Sequence, residues 1–220
     1  KGKVGKGKVT ICSPLSIGLK TGEYMPISGL RELPQDQAID DSHSVCFDTP
    51  PLKDNLDLLG TSRVHLNLSC DKPCGAIAAR LCDVAPDGDS TLISFGVLNL
   101  KQRKGREVSA EVFPDEDIDL VVRLNDTGWS LKRGHRLRLA LSSQLWPMAW
   151  PVSETATLSL NLSNCSLELP IRKNVQNSVI EAPFEPPVSA NPIPHEVIKP
   201  ATGSRKIRHC VESGEVTYSV

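Results

Sequence analysis

Two stretches far apart in the chain alternate apolar and polar residues with a period of two. In RVHLNLSC (63–70), Val64, Leu66, Leu68 and Cys70 fall on one face, with His65, Asn67 and Ser69 opposite. In HRLRLALSS (135–143), Leu137, Leu139 and Leu141 face away from Arg136, Arg138 and Ala140. A helix would scatter such residues around its axis; only a strand with one buried face collects them. AIAARLCDV (76–84) repeats the pattern, with Ile77, Ala79 and Leu81 opposite Ala78, Arg80 and Cys82. Further strands are expected in SVCFDTPPL (44–52, stopped by Pro50-Pro51), TLISFGVLNL (91–100), EVSAEVF (107–113), IDLVVRLN (118–125) and ATLSLNLS (156–163). No window longer than about ten residues prefers the helical period, and parallel strands need crossover helices for which there is no room. The expected fold class is all-β, an antiparallel β-sandwich of jelly-roll type.

The turn chemistry agrees. The chain of 220 residues holds 17 Pro and 15 Gly and is only 4% aromatic, which suits many short elements joined by tight turns. APDGDS (85–90) is one such turn, with Pro86 and Gly88 supplying the fixed and the permissive backbone positions. Three parts follow. Residues 1–42 read as a lead-in segment packing on the sandwich. Within it KGKVGKGKVT (1–10) is a flexible lead-in or an edge strand, Ser13-Pro14, Met25-Pro26 and Leu33-Pro34 mark turns, and QDQAIDD (35–41) has the makings of a helical turn. Residues 43–170 form the sandwich. Residues 171–220 are a proline-rich strap, EAPFEPPVSANPIPHEVIKP (181–200), ending in a hairpin around Ser213-Gly214.

Charge and cysteine usage bound the function. Lys+Arg number 25 against 26 Asp+Glu, a balance with no pull toward nucleic acid or a membrane surface, so neither is an expected partner. No apolar run approaches the ~20 residues that span a bilayer, and no signal-peptide pattern is present. The start at Lys1 rather than Met reads as a processing boundary. The seven cysteines are odd in number and irregularly spaced, which points to reduced thiols and a cytoplasmic, bacterial setting. Cys70 and Cys74 make a C-x3-C pair, but no second pair or His couple completes a zinc set. The N-x-S/T sequons at Asn67, Asn125, Asn161 and Asn164 read as chance, Asn67 and Asn161 lying inside expected strands. No metal and no cofactor is expected.

The stretch GHRLRLALSSQLWP (134–147) holds a histidine and two serines, the letters of a hydrolytic site. A serine nucleophile needs a strained strand-to-helix turn, usually G-x-S-x-G, and no such pentapeptide occurs; GTSRV (60–64) lacks the second glycine. Ser142 and Ser143 are therefore read as the end of a core strand, and no catalytic residue is assigned. PDEDID (114–119) reads as a solvated acidic loop, and DVAPDGDS (83–90) lacks the ligand count of a calcium loop. The candidates that remain are Trp146 and Trp150 in LWPMAWP (145–151). Scattered tryptophans are usually core, yet these lie in a proline-rich loop, where amphipathic rings suit a substrate-pocket wall or a domain interface.

Taken in order, FDTPPL (47–52), DLLG (57–60), RLCDVAPDG (80–88) and GHRLRLALSSQLWP resemble the C-terminal β-domain of the X-Pro dipeptidyl-peptidase and cocaine esterase (CocE/NonD) hydrolases over about residues 40–170. SPLSIGLKTGEYMP (13–26) and ELPQDQAIDD (32–41) are similar to the segment preceding it. The resemblance implies a galactose-binding-like jelly roll packed against an α/β-hydrolase domain that carries a Ser-His-Asp triad. It implies a parent enzyme cleaving an X-Pro peptide bond, an ester or an amide by acyl transfer. This chain would then be the non-catalytic part, inactive alone, contributing a wall of the substrate pocket and an interface, with the α/β-hydrolase domain as partner and homo-oligomers possible. The tail after residue 170 departs from the compact members of the family. The alternative is a carbohydrate- or ligand-binding jelly-roll module, with Trp146 and Trp150 as its stacking platform.

Overall fold

The structure, a computed structural model, describes residues 2–3, 6–22, 33–172, 185–191, 193–194, 196, 198 and 206–219. The turn expected at Met25-Pro26 and part of the proline-rich strap lie outside these residues. The chain divides into a unit spanning Lys1–Arg172 and a second spanning Lys173–Val220.

The strands of the first unit are β1 (Gly2–Lys3), β2 (Lys8–Ile11), β3 (Val45–Asp48), β4 (Leu56–Gly60), β5 (Arg63–Cys70), β6 (Ala76–Val84), β7 (Ser90–Asn99), β8 (Ile118–Arg123), β9 (Thr127–Leu131), β10 (Arg136–Ser142), β11 (Leu158–Asn161) and β12 (Ser166–Glu168). One five-residue helix, α1 (Ala38–Ser42), occupies the helical turn expected there. Among the described residues all strand pairings are antiparallel. The first sheet is built on β5, with β8 along one edge and β12 and β11 sharing the other; β1 and β2 extend it. The second sheet has the order β3-β10-β6-β7, and β4 pairs with β9 apart from both.

The alternation read from the sequence sets what faces inward. In the second sheet Leu139 is paired with Leu81 on one side and Phe47 on the other, and Leu141 with Ala79 and Val45. Paired residues share a face, so one row of leucines meets the row Val64, Leu66, Leu68 and Cys70 of β5 in a single core. The two sheets approach tightly where β7 passes the end of β8: a Cβ on Gly96 would overlap the Arg123 carbonyl oxygen and stand 3.2 Å from Leu124 Cα. A glycine is required at that seam.

Three expectations need correction. EVSAEVF (107–113) has strand periodicity but joins no sheet. It folds back on the 3-10 turn Leu100–Gln102, where Arg103 donates to the carbonyls of Ala110 and Glu111 in place of a ladder. Strand propensity without a neighbouring edge makes only an extended loop. Conversely β4 and β9 pair with each other although neither was expected, Gly128 having broken the apparent pattern of β9. Finally, the face of β6 that carries Ala78, Arg80 and Cys82 is buried like the other. Residues 33–44 lie across it, tied by the Gln37 N–H to the Ser90 carbonyl.

Among the described residues the basic lead-in supplies two edge strands, β1 paired with β12 and β2 with β11. In the second unit β13 (Lys206–His209) and β14 (Val216–Ser219) form the hairpin expected around Ser213-Gly214.

Candidate functional site

The hydrolase-like letters of 134–147 are pulled apart by the strand that carries them. His135 precedes β10 and Ser142 ends it. At about 3.3 Å per residue the strand holds them roughly 20 Å apart, whereas a base must lie about 3 Å from its nucleophile. Both serines are buried in structural bonds. The Ser142 hydroxyl donates to the Gln144 carbonyl (2.6 Å), and the Ser143 hydroxyl accepts from the Ser13 N–H (3.0 Å) while Ser13 returns the bond. His135 belongs instead to the opposite end of the sandwich. Its Nδ1 lies 2.7 Å from Asp83 Oδ1, and the Trp129 indole donates to Asp83 Oδ2 at 3.0 Å. That carboxylate sits at the core-facing end of β6, where a buried anion requires such donors.

Asp83 is thereby committed, and Asp87 accepts the Asp89 N–H, so the acidic turn 83–90 is held by its own bonds. Among the described residues no group of three or more His, Cys, Asp or Glu side chains is placed to hold a metal ion. The seven cysteines are all free. Burial pushes the Cys82 thiol up to about 12 and, with the Asp41 charge adding to it, the Cys46 thiol to about 11, so both stay protonated and unreactive at neutral pH.

An ionic cluster escaped the sequence reading. Arg80, fully buried on β6, donates to Gln37 Oε1 and the Ser44 hydroxyl (both 2.9 Å) and lies 2.9 Å from Asp41 Oδ1. Asp41 Oδ2 accepts from Ser90 (2.7 Å) and Arg138 (3.1 Å). Arg138 in turn holds Asp48 through two 2.7 Å bonds. Those bonds push the Asp48 carboxyl below its ordinary value of 3.8 and raise the Arg138 guanidinium. Arg80 and its partners Gln37, Asp41 and Ser44 lie far apart in the chain, which offers no sequence signal; only the outward face of a strand in an unusually apolar run hints that something must cover it.

The two tryptophans lie at the end of the sandwich opposite His135. Ile11, Cys70, Ile118, Ser142 and Leu158 mark that end through their strand registers. Three loops meet there. Residues 12–21 touch 143–150 through Trp146 N–H to the Ile17 carbonyl, and a Cβ on Gly18 would meet the Trp146 oxygen at 2.8 Å. The third loop, 100–117, is bound by the Asp115 N–H to the Cys70 carbonyl. Trp146 is half-buried, but Trp150 is 89% exposed, and Leu15, Val108 and Phe113 add exposed apolar surface from the same loops. These exposed apolar side chains all come from loops at one end of the sandwich. Among the described residues no helix is long and apolar enough to cross a membrane.

Comparison with known proteins places the sandwich among hydrolase-associated folds. An alpha-amino acid ester hydrolase superposes with a TM-score of 0.58 at 20% identity, covering 63% of this chain and 27% of its own. An aminopeptidase from a marine sediment archaeon of the Thaumarchaeota gives 0.64 at 18% identity, covering 78% and 34%. A CocE/NonD family hydrolase from Staphylococcus aureus gives 0.57 at 13% identity, covering 78% and 34%. At such identities the likeness is one of fold, and the chain spans between about a quarter and a third of each. No curated protein sequence matches the chain. Residues 1–183 match the family described as the X-Pro dipeptidyl-peptidase C-terminal non-catalytic domain. With that match over most of its length, the chain belongs to the family of X-Pro dipeptidyl-peptidase C-terminal non-catalytic domains.

Proposed function

We propose that this chain is the non-catalytic domain of a serine hydrolase that cleaves X-Pro peptides, esters or amides, and that it docks on an α/β-hydrolase domain of the same protein. The family match over residues 1–183 carries the reading. The loop end of the sandwich is the docking surface and forms one wall of the substrate pocket, with Trp150 the side chain most exposed for that role and Trp146 behind it. The catalytic serine attacks the carbonyl, its histidine moves the proton, and backbone N–H groups hold the oxyanion, all within the partner domain. This chain contributes surface. We read 43–170 as a jelly roll on which 1–42 packs, with 171–220 as a strap and hairpin, in a cytoplasmic, bacterial enzyme; seven free thiols support the reducing setting.

The isolated chain should turn over neither p-nitrophenyl esters nor X-Pro anilides. Turnover abolished by a single serine substitution would overturn the reading. In the whole enzyme Trp150→Ser should weaken domain docking by roughly 30-fold, as expected for a buried aromatic anchor, while leaving the sandwich folded.

A further inference from the structure

The outward face of the first sheet carries a cleft whose lining does not include Trp146 or Trp150. Its volume is about 380 Å³, and its lining is His65, Leu66, Arg103, Asp119, Leu120, Val121 and Asn164. Leu66 and Leu120 are paired across β5 and β8 with their side chains in the core, so they contribute backbone and the floor is sheet. His65 and Val121 form one pair on the outward face and Asn67 and Asp119 the next. Arg103 reaches in from the loop after β7, and Asn164 from the 3-10 turn after β11.

The hydrogen-bonding capacity left over defines the ligand. Asp119 Oδ1 is taken by Asn67 Nδ2 at 2.8 Å, leaving Oδ2 as an acceptor. The His65 ring meets Glu168 through Nε2 at 3.2 Å, leaving Nδ1. The Asn164 amide makes no side-chain hydrogen bond among the described residues and is exposed, so it offers both donors and its acceptor. Asp119 disfavours an anion such as phosphate. Arg103 disfavours a cation. Val121, 44% exposed, supplies an apolar patch beside these groups. Donors and acceptors in nearly equal number around a small apolar patch, with opposing charges, fit a neutral polyhydroxylated ring.

We propose that this cleft binds a neutral carbohydrate, either a monosaccharide or the terminal unit of a chain. The site is independent of the hydrolase reading and is distinct from Trp146 and Trp150. The test is a titration of the isotopically labelled 220-residue chain with D-glucose, D-galactose, D-mannose and N-acetyl-D-glucosamine, followed by amide chemical shifts. One of the four should give saturable shifts at residues 65, 103, 119–121 and 164, with a dissociation constant of about 1–10 mM. Asn164→Ala, at an exposed position, should weaken that binding at least tenfold without altering the rest of the spectrum. Val121→Glu, which fills the cleft, should abolish it. No saturable shift with any of the four sugars would overturn the proposal. So would shifts centred on Trp150, indifference to both substitutions, or tighter binding of inorganic phosphate or calcium at the same residues.

Discussion

Removing one carboxylate, that of Asp41, should cost this domain more than removing any surface charge. Arg80 has no exposed surface, and its guanidinium stands 2.9 Å from Asp41 Oδ1. At an effective dielectric of 20, charges about 3 Å apart attract by roughly 5 kcal/mol. Part of that is offset by the desolvation of both groups. Deleting only the anion keeps the whole cost of the buried cation, and such deletions destabilise by about 3–5 kcal/mol. Asp41→Ala also strips an acceptor from Ser90 and Arg138. Asp48→Ala breaks two equally short bonds to Arg138, but both partners reach solvent, so the loss is about 1 kcal/mol. Urea unfolding of each variant, followed by tryptophan fluorescence, separates the two. With a slope of about 2 kcal/mol/M, Asp41→Ala should lower the midpoint by roughly 2 M and Asp48→Ala by about 0.5 M. The pair is also imperfect: Asp41 Oδ1 and Arg80 Nε lack aligned hydrogen-bond partners among the described residues. Replacing both residues together, as Asp41→Leu with Arg80→Met, should therefore recover most of the loss. Equal shifts for Asp41→Ala and Asp48→Ala would refute the reasoning, because they would mean that water reaches Arg80 beneath residues 33–44.

Other outcomes follow from the same geometry. Gly96→Ala forces a methyl group against the Arg123 carbonyl and should destabilise by about 1–3 kcal/mol, measurable by the same unfolding assay; no change would mean that the seam between β7 and β8 opens freely. Iodoacetamide at pH 8 should label the exposed Cys12 and Cys210 in the folded chain and leave Cys46 and Cys82 untouched until denaturant is added, as peptide mass mapping would show. The lowered carboxyl of Asp48 contributes stability that is complete above its ordinary 3.8 and disappears as pH falls through the lower folded value. Stability of the wild type should thus fall more steeply below pH 4 than that of Asp48→Asn, in acid titrations at low salt.

The alternation of RVHLNLSC and HRLRLALSS was sufficient for the core. A period of two is a local property, and it put Val64, Leu66, Leu68, Leu137, Leu139 and Leu141 inside without knowledge of any partner. The missing G-x-S-x-G was equally local. Tertiary structure decided the rest. Whether Arg80 faced water depended on residues 33–44 crossing β6, a contact between segments some 40 residues apart. Whether EVSAEVF became a strand depended on an available edge, and Arg103 took its carbonyls instead. His135 found Asp83, and Asn164 joined Asp119 at one cleft, only through strand pairing across long separations. Period reports which side of a strand is apolar; it carries no information about what the other side meets, and in this domain that other side holds the ion cluster and the polar cleft.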